Sequence, residues 1–138
     1  MPTTARARPA HAPLPTGGFF ILGFSLGGFF DGIVLHQVLQ WHHLLSGVDA
    51  VRDLRLQLLA DGLFHALMYL LAAAGLALLW RGRAGLAMAQ DPRRLLGWAC
   101  LGFASWHAAD ALLSHWLLGI HRIRMDVAHP LAWDLGWL

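Results

Sequence analysis

Long apolar stretches alternate with short polar connectors along this chain. Three stretches, at residues 17–45, 54–80 and 95–120, are rich in Leu, Ala, Phe and Gly, whereas the connectors carry Arg, Asp and Pro. Each stretch has about 26–29 residues, more than the ~20 that an α-helix needs to cross a bilayer. The pattern predicts an all-α integral membrane protein built on a bundle of three transmembrane helices.

The two ends of the chain differ from this central part. Residues 1–16 are polar and rich in proline, which predicts a disordered tail ahead of one helical membrane domain at 17–138. A further apolar pattern begins after Pro130 and covers residues 131–138. Eight helical residues rise only about 12 Å, too little to span. This segment is expected to be an interfacial stub or a truncated fourth helix.

Composition agrees with a membrane protein and excludes several other classes. Hydrophobic residues make up 57% of the chain and charged residues 13%, against about 25% charged in soluble domains. The single cysteine, Cys100, excludes a disulfide framework and a cysteine-rich zinc site. The arginines are scattered and form no basic stripe, so nucleic acid is not an expected partner and the lipid bilayer is.

The arginines also predict an orientation. The tail and the second connector lie on one side of the membrane and together carry more arginines than the other side, at Arg6, Arg8, Arg81, Arg83, Arg93 and Arg94. Cytoplasmic segments of membrane proteins are enriched in Lys and Arg. The N-terminus is therefore expected in the cytoplasm.

Ionisable side chains concentrate in one half of the predicted bundle. They occupy the second half of helix one, the first half of helix two and the second half of helix three, which alternate in direction and so reach the same depth. The arginine bias makes this depth the outer half of the bilayer. The polar layer consists of Asp31, His36, His42, His43, Asp61, His65, His107, Asp110, His115 and His121.

Helical geometry gives each predicted helix one polar face. At 100° per residue, His36 and His43 fall within about 60° of each other. Asp61 and His65 are neighbours one turn apart on the second helix. The third helix presents a stripe that has His115 at its flank and contains His107, Asp110 and His121. We expect the three faces to meet inside the bundle.

Histidine and aspartate together suit a transition metal of borderline softness, namely copper, iron or zinc. Haem held by two histidines stays an alternative. One intramembrane histidine is often only a packing residue, but a whole layer of buried Asp and His is costly and indicates function. The expected nitrogen ligands are His36, His65, His115 and His121. The expected carboxylate ligands or orienting groups are Asp31, Asp61 and Asp110, and the further candidate ligands are His42, His43 and His107.

The residues also carry a resemblance to a known family. The strings FFDGIVLHQVLQWHHLLS, ADGLFHALMYLLAAAGLALLW and GFASWHAADALLSHWLLGIHRIR resemble the DUF2243 family of small bacterial membrane proteins. The resemblance implies a bacterial inner-membrane location, an acidic residue at Asp110 and histidines at His115 and His121. It also implies a fourth helix after the stretch that contains Trp133 and Asp134. It names no reaction.

Three functional hypotheses follow. The first is a membrane protein whose metal site serves metal handling or redox chemistry. The second is a proton or ion relay through the same Asp and His side chains. The third is a structural or assembly subunit whose polar layer binds a partner membrane helix. A homo-oligomer is a separate alternative for the protein partner. The pattern leaves open whether the protein is an enzyme.

Overall fold

The computed structural model describes residues 15–87 and 91–138, and this part contains helices and loops without any strand. Two helices continue directly into wider π-helical segments, here named π1 and π2. Residues 1–14 of the predicted tail lie outside the described residues. The elements in chain order are α1 (Thr16–Phe30), π1 (Asp31–Val38), α2 (Leu54–Arg81), α3 (Arg83–Ala87), α4 (Pro92–Asp110), π2 (Ala111–Leu117) and α5 (Pro130–Trp137).

The first and third predicted helices end earlier than the apolar pattern suggests. The first ends at Val38 instead of residue 45, and the third at Leu117 instead of residue 120. The backbone then turns through a positive φ, 52° at Gln40 and 63° at Gly119. A residue in this left-handed region cannot continue a right-handed helix. The remaining apolar residues of each stretch therefore form a loop.

Helix α1 packs between α2 and α4 through glycines. A side chain at Gly18 would meet Leu79 and the backbone of Gly75, and one at Gly28 would meet Met68, so α1 and α2 run antiparallel. Small residues let membrane helices approach closely enough for their backbones to touch. The close approach aligns the ends of these helices at one level.

The third helix, α4, runs in the same direction as α1. A Cβ atom at Gly23 would collide with the carbonyl oxygen of Ala99, and one at Gly102 would collide with that of Phe20. Both helices therefore deliver their π segments to the same end of the bundle. The first half of α2, which runs the opposite way, begins at that end.

The distribution of polar and apolar side chains is the reverse of that in a soluble protein. Leu70 is 70% exposed, whereas the His36 side chain is fully buried. Several leucines of α2 point outward in the same way, and the buried positions of α1 are small or polar. A surface of leucine around a polar interior is what a lipid environment favours.

Two described helices are long and apolar enough to cross a membrane, Thr16–Val38 and Leu54–Arg81. The third predicted span corresponds to α4 and π2, which continue without a break through Leu117. Its crossing of the membrane stays a prediction. The last apolar segment forms the short helix α5, with Pro130 in its first turn, where a missing N–H costs nothing.

Candidate metal centre

The π1 segment and the loop after it bring together one aspartate and two histidines. Asp31 and His36 would be rotated by about 140° on an α-helix, but a π-helix has residues five positions apart on one face. Nε2 of His36 lies 3.8 Å from Oδ2 of Asp31. Nε2 of His42, from the loop after π1, lies 3.5 Å from Oδ1 of the same carboxylate. We name these three residues the first triad.

The π2 segment forms a second triad in the same way. Nε2 of His115 lies 3.0 Å from Oδ2 of Asp110, and Nε2 of His121 lies 3.4 Å from Oδ1. In each triad, three ligand atoms lie within 4.8 Å of one another. The six side chains are between 0% and 7% exposed, so they are held away from solvent.

The other ring nitrogen of each histidine is held from outside its triad. Nδ1 of His42 donates to the carbonyl oxygen of Ile123 at 3.0 Å, and Nδ1 of His121 donates to that of Leu44 at 2.9 Å. A carbonyl can only accept, so these Nδ1 atoms carry the proton. In the neutral imidazole, Nε2 then presents its lone pair to the triad, as a metal ligand must.

Two further carboxylates hold the remaining histidines. Asp61, on α2, accepts from Nδ1 of His36 at 2.9 Å. Asp134, on α5, lies 3.0 Å from Nδ1 of His115, a close contact whose angle falls outside hydrogen-bond geometry. A carboxylate behind a histidine is the usual way to orient a metal ligand and to raise its basicity.

Each of these supporting carboxylates is itself saturated with donors. Asp61 accepts from the backbone N–H of Leu44 at 2.9 Å and from Nδ1 of His43 at 2.7 Å. Asp134 accepts from the backbone N–H of Ile123 at 3.0 Å and from Arg122 at 2.8 Å. These bonds fix both carboxylates, although both side chains are almost completely buried.

The candidate ligand atoms, in contrast, lack hydrogen-bond partners. Oδ1 of Asp31 and Nε2 of His36, His42, His115 and His121 are buried and make no hydrogen bond. Leaving such a group unsatisfied costs about 1–3 kcal/mol each. Metal bonds of about 2.0–2.2 Å place neighbouring ligand atoms roughly 3.0–3.5 Å apart, close to the separations seen here. The two triads therefore have the donor chemistry and the spacing of metal sites.

Four predicted site residues lie outside the two triads, namely His43, Asp61, His65 and His107. Asp61 and His43 support the first triad from behind. His65 points elsewhere, since its ring stacks on Phe29 at 6.3 Å and its Nε2 packs against Gly32. His107 accepts a hydrogen bond from Trp137 at 3.1 Å, and its ring lies among aromatic side chains.

Sequence reasoning missed two residues of this site. Asp134 lies outside the three long apolar stretches, and Arg122 has the character of an ordinary boundary charge in the sequence. A signal for Asp134 does exist. The spacing Asp-x4-His-x5-His occurs at Asp31 and again at Asp110, and an aspartate also recurs on the following helix. Asp61 follows Asp31 by 30 positions and Asp134 follows Asp110 by 24, so the two aspartates correspond once this difference of six residues is allowed for.

A rim of aromatic and charged residues lies outside the buried layer. The guanidinium of Arg124 lies 5.2 Å from the ring centroid of Trp41 and 4.8 Å from that of Trp133. Its hydrogen bond to Asp126 holds the pKa of that exposed carboxyl below the ordinary value. The rim joins the loop after π1 to helix α5 and caps the layer.

Comparison with known proteins agrees with the architecture. The family model described as "Predicted membrane protein (DUF2243)" matches residues 18–138, nearly the whole chain. No curated protein and no solved structure matches. The resemblance found in the sequence is confirmed, and the chain belongs to the DUF2243 family of predicted membrane proteins.

Proposed function

We propose that this chain is an integral protein of the bacterial inner membrane that holds a transition metal in the outer half of the bilayer, for metal handling or redox chemistry. The observation that carries the proposal is the convergence of unpartnered, buried Nε2 atoms on a carboxylate in each triad. In neutral imidazoles, hydrogen bonds from Nδ1 leave the Nε2 lone pair free on three of the four histidines.

The charges of the layer support a bound cation. The layer contains four buried carboxylates, and the permanent cation that contacts them among the described residues is Arg122. With neutral histidines, three negative charges remain in excess. Uncompensated charge is expensive inside a membrane, and one divalent ion offsets two of these three charges. Protonated histidines would also offset it, but the Nε2 atoms make no aligned hydrogen bond to the carboxylates.

The donor set favours particular ions. Two histidines and one carboxylate leave open positions on an octahedral ion, as in non-haem iron sites, and imidazole also suits copper and zinc. Haem is less favoured, because the histidine rings pack directly on one another. The His42 and His121 rings stack with centroids 4.5 Å apart. Their direct contact leaves no gap for a macrocycle.

Burial restricts what such a metal could do. The six triad side chains are at most 7% exposed, so a bulky substrate does not reach the ligand atoms in this conformation. Electron transfer, chemistry on a small apolar molecule and storage or delivery of the ion remain compatible with this geometry. The supporting hydrogen bonds favour a permanently organised site over a transient one.

The proton-relay hypothesis receives less support. A relay requires polar groups across both halves of the membrane. Beyond the layer, residues 17–30, 66–80 and 95–106 contain no charged side chain and no histidine. The layer is thus a polar compartment at one level of the bundle, which fits a bound ion better than a path.

Elemental analysis of detergent-purified full-length protein tests the proposal. The protein is loaded separately with copper(II), iron(II) and zinc(II), desalted and measured by mass spectrometry, with the His36→Ala/His115→Ala double variant beside it. We expect at least one equivalent of metal on the unmodified protein and a loss of most of it in the double variant, which removes one nitrogen ligand from each triad.

A matched control separates this result from surface binding. His129→Ala removes an exposed histidine outside both triads, and we expect metal content equal to that of the unmodified protein. Sub-stoichiometric metal on the unmodified protein under every loading condition would refute the proposal. Equal metal losses in the control and in the double variant would refute it as well.

A further inference from the structure

The two triads belong to two copies of one structural unit. Asp31, His36 and His42 recur 79 positions later as Asp110, His115 and His121. In each copy, an α-helix passes into a π segment, a loop supplies the last histidine, and a second helix returns. The first unit consists of α1, π1 and α2, and the second of α4, π2 and α5.

Backbone geometry shows that the equivalence is structural. At the end of π1, the N–H of Leu39 donates to the carbonyl of Val34 at 2.8 Å. At the end of π2, Leu118 donates to Leu113, also at 2.8 Å. The positive φ angles of Gln40 and Gly119 are likewise 79 positions apart. The same local structure is thus built twice from different residues.

The two units face each other across a pseudo-twofold axis. Gly23 contacts the backbone of Ala99, and the equivalent glycine, Gly102, contacts the backbone of Phe20, which is equivalent to Ala99. Such reciprocal contacts arise where two equivalent surfaces meet at an axis. Because α1 and α4 are parallel, the axis runs along them toward the triads.

The histidines meet on this axis. The His42 and His121 rings are stacked with an interplanar angle of 9°. The distance between the His36 and His121 ring centroids is 6.1 Å, and its symmetry equivalent, between His42 and His115, is 6.4 Å. The triads are therefore adjacent, and their relative position follows the same symmetry as the helices.

In each triad, one histidine is also oriented by a backbone carbonyl of the other unit. His42 is held by the carbonyl of Ile123, and His121 by that of Leu44. The N–H groups of the same two residues bind the supporting carboxylates, Asp134 and Asp61. Leu44 and Ile123 therefore play equivalent roles. The carbonyl of each orients a histidine of the opposite triad, and the N–H group of each binds the supporting carboxylate of its own unit.

We propose that the two triads bind two metal ions as one dinuclear centre, with the ions on either side of the stacked His42 and His121 rings. Each ion takes two imidazole nitrogens and one carboxylate from its own unit. The hydrogen bonds from His42 to the carbonyl of Ile123 and from His121 to that of Leu44 join the two units and fix the distance between the ions. The inference rests on the proposed metal-binding function and adds to it the number, arrangement and symmetry of the ions.

Stepwise loading with copper(II) tests this inference on the unmodified full-length protein. We expect binding to saturate at two equivalents. Electron paramagnetic resonance should show isolated copper(II) at low loading and, as the second equivalent binds, dipolar broadening with a half-field signal from the pair. The half-field signal requires two copper ions close to each other, which adventitious surface binding does not supply.

Variants restricted to one triad sharpen the test. His36→Ala and His115→Ala should each reduce binding from two equivalents to one and remove the half-field signal while keeping a mononuclear copper spectrum. Asp110→Asn preserves the side-chain shape and should also remove the pair signal, which guards against misfolding of an alanine variant.

The outcomes distinguish the inference from the function on which it rests. Saturation at one equivalent would overturn the dinuclear centre and leave the metal-binding function standing. Two equivalents that show only isolated copper spectra would also overturn it. Failure to bind copper, iron or zinc at all would overturn both.

Discussion

Oδ1 of Asp61, on α2, accepts a hydrogen bond from Nδ1 of His36, on π1, at a distance of 2.9 Å. The bond orients the ring so that Nε2 faces Asp31, and in the neutral imidazole with its proton on Nδ1 this nitrogen carries the lone pair. The carboxylate does not itself belong to the first triad. It acts as a positioning residue, and the three donors that surround it keep it in place.

Loss of this carboxylate should weaken metal binding without removing a ligand. Asp61→Asn keeps the shape but lowers the basicity of His36, and changes of this kind typically reduce metal affinity about 10–100-fold. We expect a higher Kd in chelator-competition titrations, with the number of bound ions at saturation unchanged. Asp49→Asn, at a carboxylate that is 96% exposed, is the control and should leave Kd unaltered.

An unchanged Kd for Asp61→Asn would mean that Asp61 does not position His36. A loss of ions at saturation would instead make Asp61 a direct ligand. The two alternatives are separated by measuring affinity and stoichiometry on the same sample.

The sequence alone predicted that the Asp and His side chains share one layer of the bundle, but not how they are arranged within that layer. Alternating helix direction was enough to place Asp31, Asp61 and Asp110 in one layer. The predicted direction of each side chain, which assumes a rotation of 100° per residue, is wrong beyond Phe30 and Asp110, because both helices widen into π segments there. It separated Asp31 from His36 and left His115 at the edge of a stripe. A π segment has no compositional signature and forms where tertiary contacts outweigh its poorer local geometry.

The supporting residues were hidden for a different reason. Asp134 lies in a segment too short to show a helical polar face, and its role depends on the equivalence of α5 with the start of α2. The role of Arg122 follows only from its 2.8 Å contact with Asp134. Histidines such as His65, although at the expected depth, face away from the triads because of the rotation of α2.

Close approach of α1 and α4 should be necessary for the arrangement of the triads. Gly102→Ala adds one methyl group where the backbone of Phe20 already lies, so the helices must separate. Overpacking of this kind costs about 1–3 kcal/mol. We expect a lower Tm in detergent and reduced metal content.

Gly97→Ala provides a matched control on the same helix. A Cβ atom at Gly97 meets nothing within 4 Å, and alanine favours the helix over glycine by about 0.5–1 kcal/mol. Tm should therefore be unchanged or slightly higher. Equal behaviour of the two variants would contradict a role for the crossing at Gly102.

The positive φ angles after the π segments predict opposite effects at equivalent positions. Gly119 has φ of 63° and open space around it, so Gly119→Ala should destabilise the fold through backbone strain, by about 1–2 kcal/mol. Gln40 carries this strain already, at φ of 52°. Gln40→Gly should relieve it and raise Tm, as measured by thermal unfolding in detergent. Destabilisation by both variants would show that the Gln40 side chain contributes more than its strain costs.

Cysteine labelling tests the orientation of the bundle. The chain has a single cysteine, Cys100, so a Cys100→Ser background allows one new thiol at a time. Asp49 lies in the exposed loop at the end of the bundle that holds the triads, and Arg83 is exposed near the opposite end. The arginine distribution predicts that the second of these ends lies in the cytoplasm. A membrane-impermeant maleimide applied to spheroplasts should therefore label Asp49→Cys directly and label Arg83→Cys only after permeabilisation. The reverse pattern would place the candidate metal centre on the cytoplasmic side, and the proposed metal handling would then involve cytoplasmic partners instead of exchange with the outside.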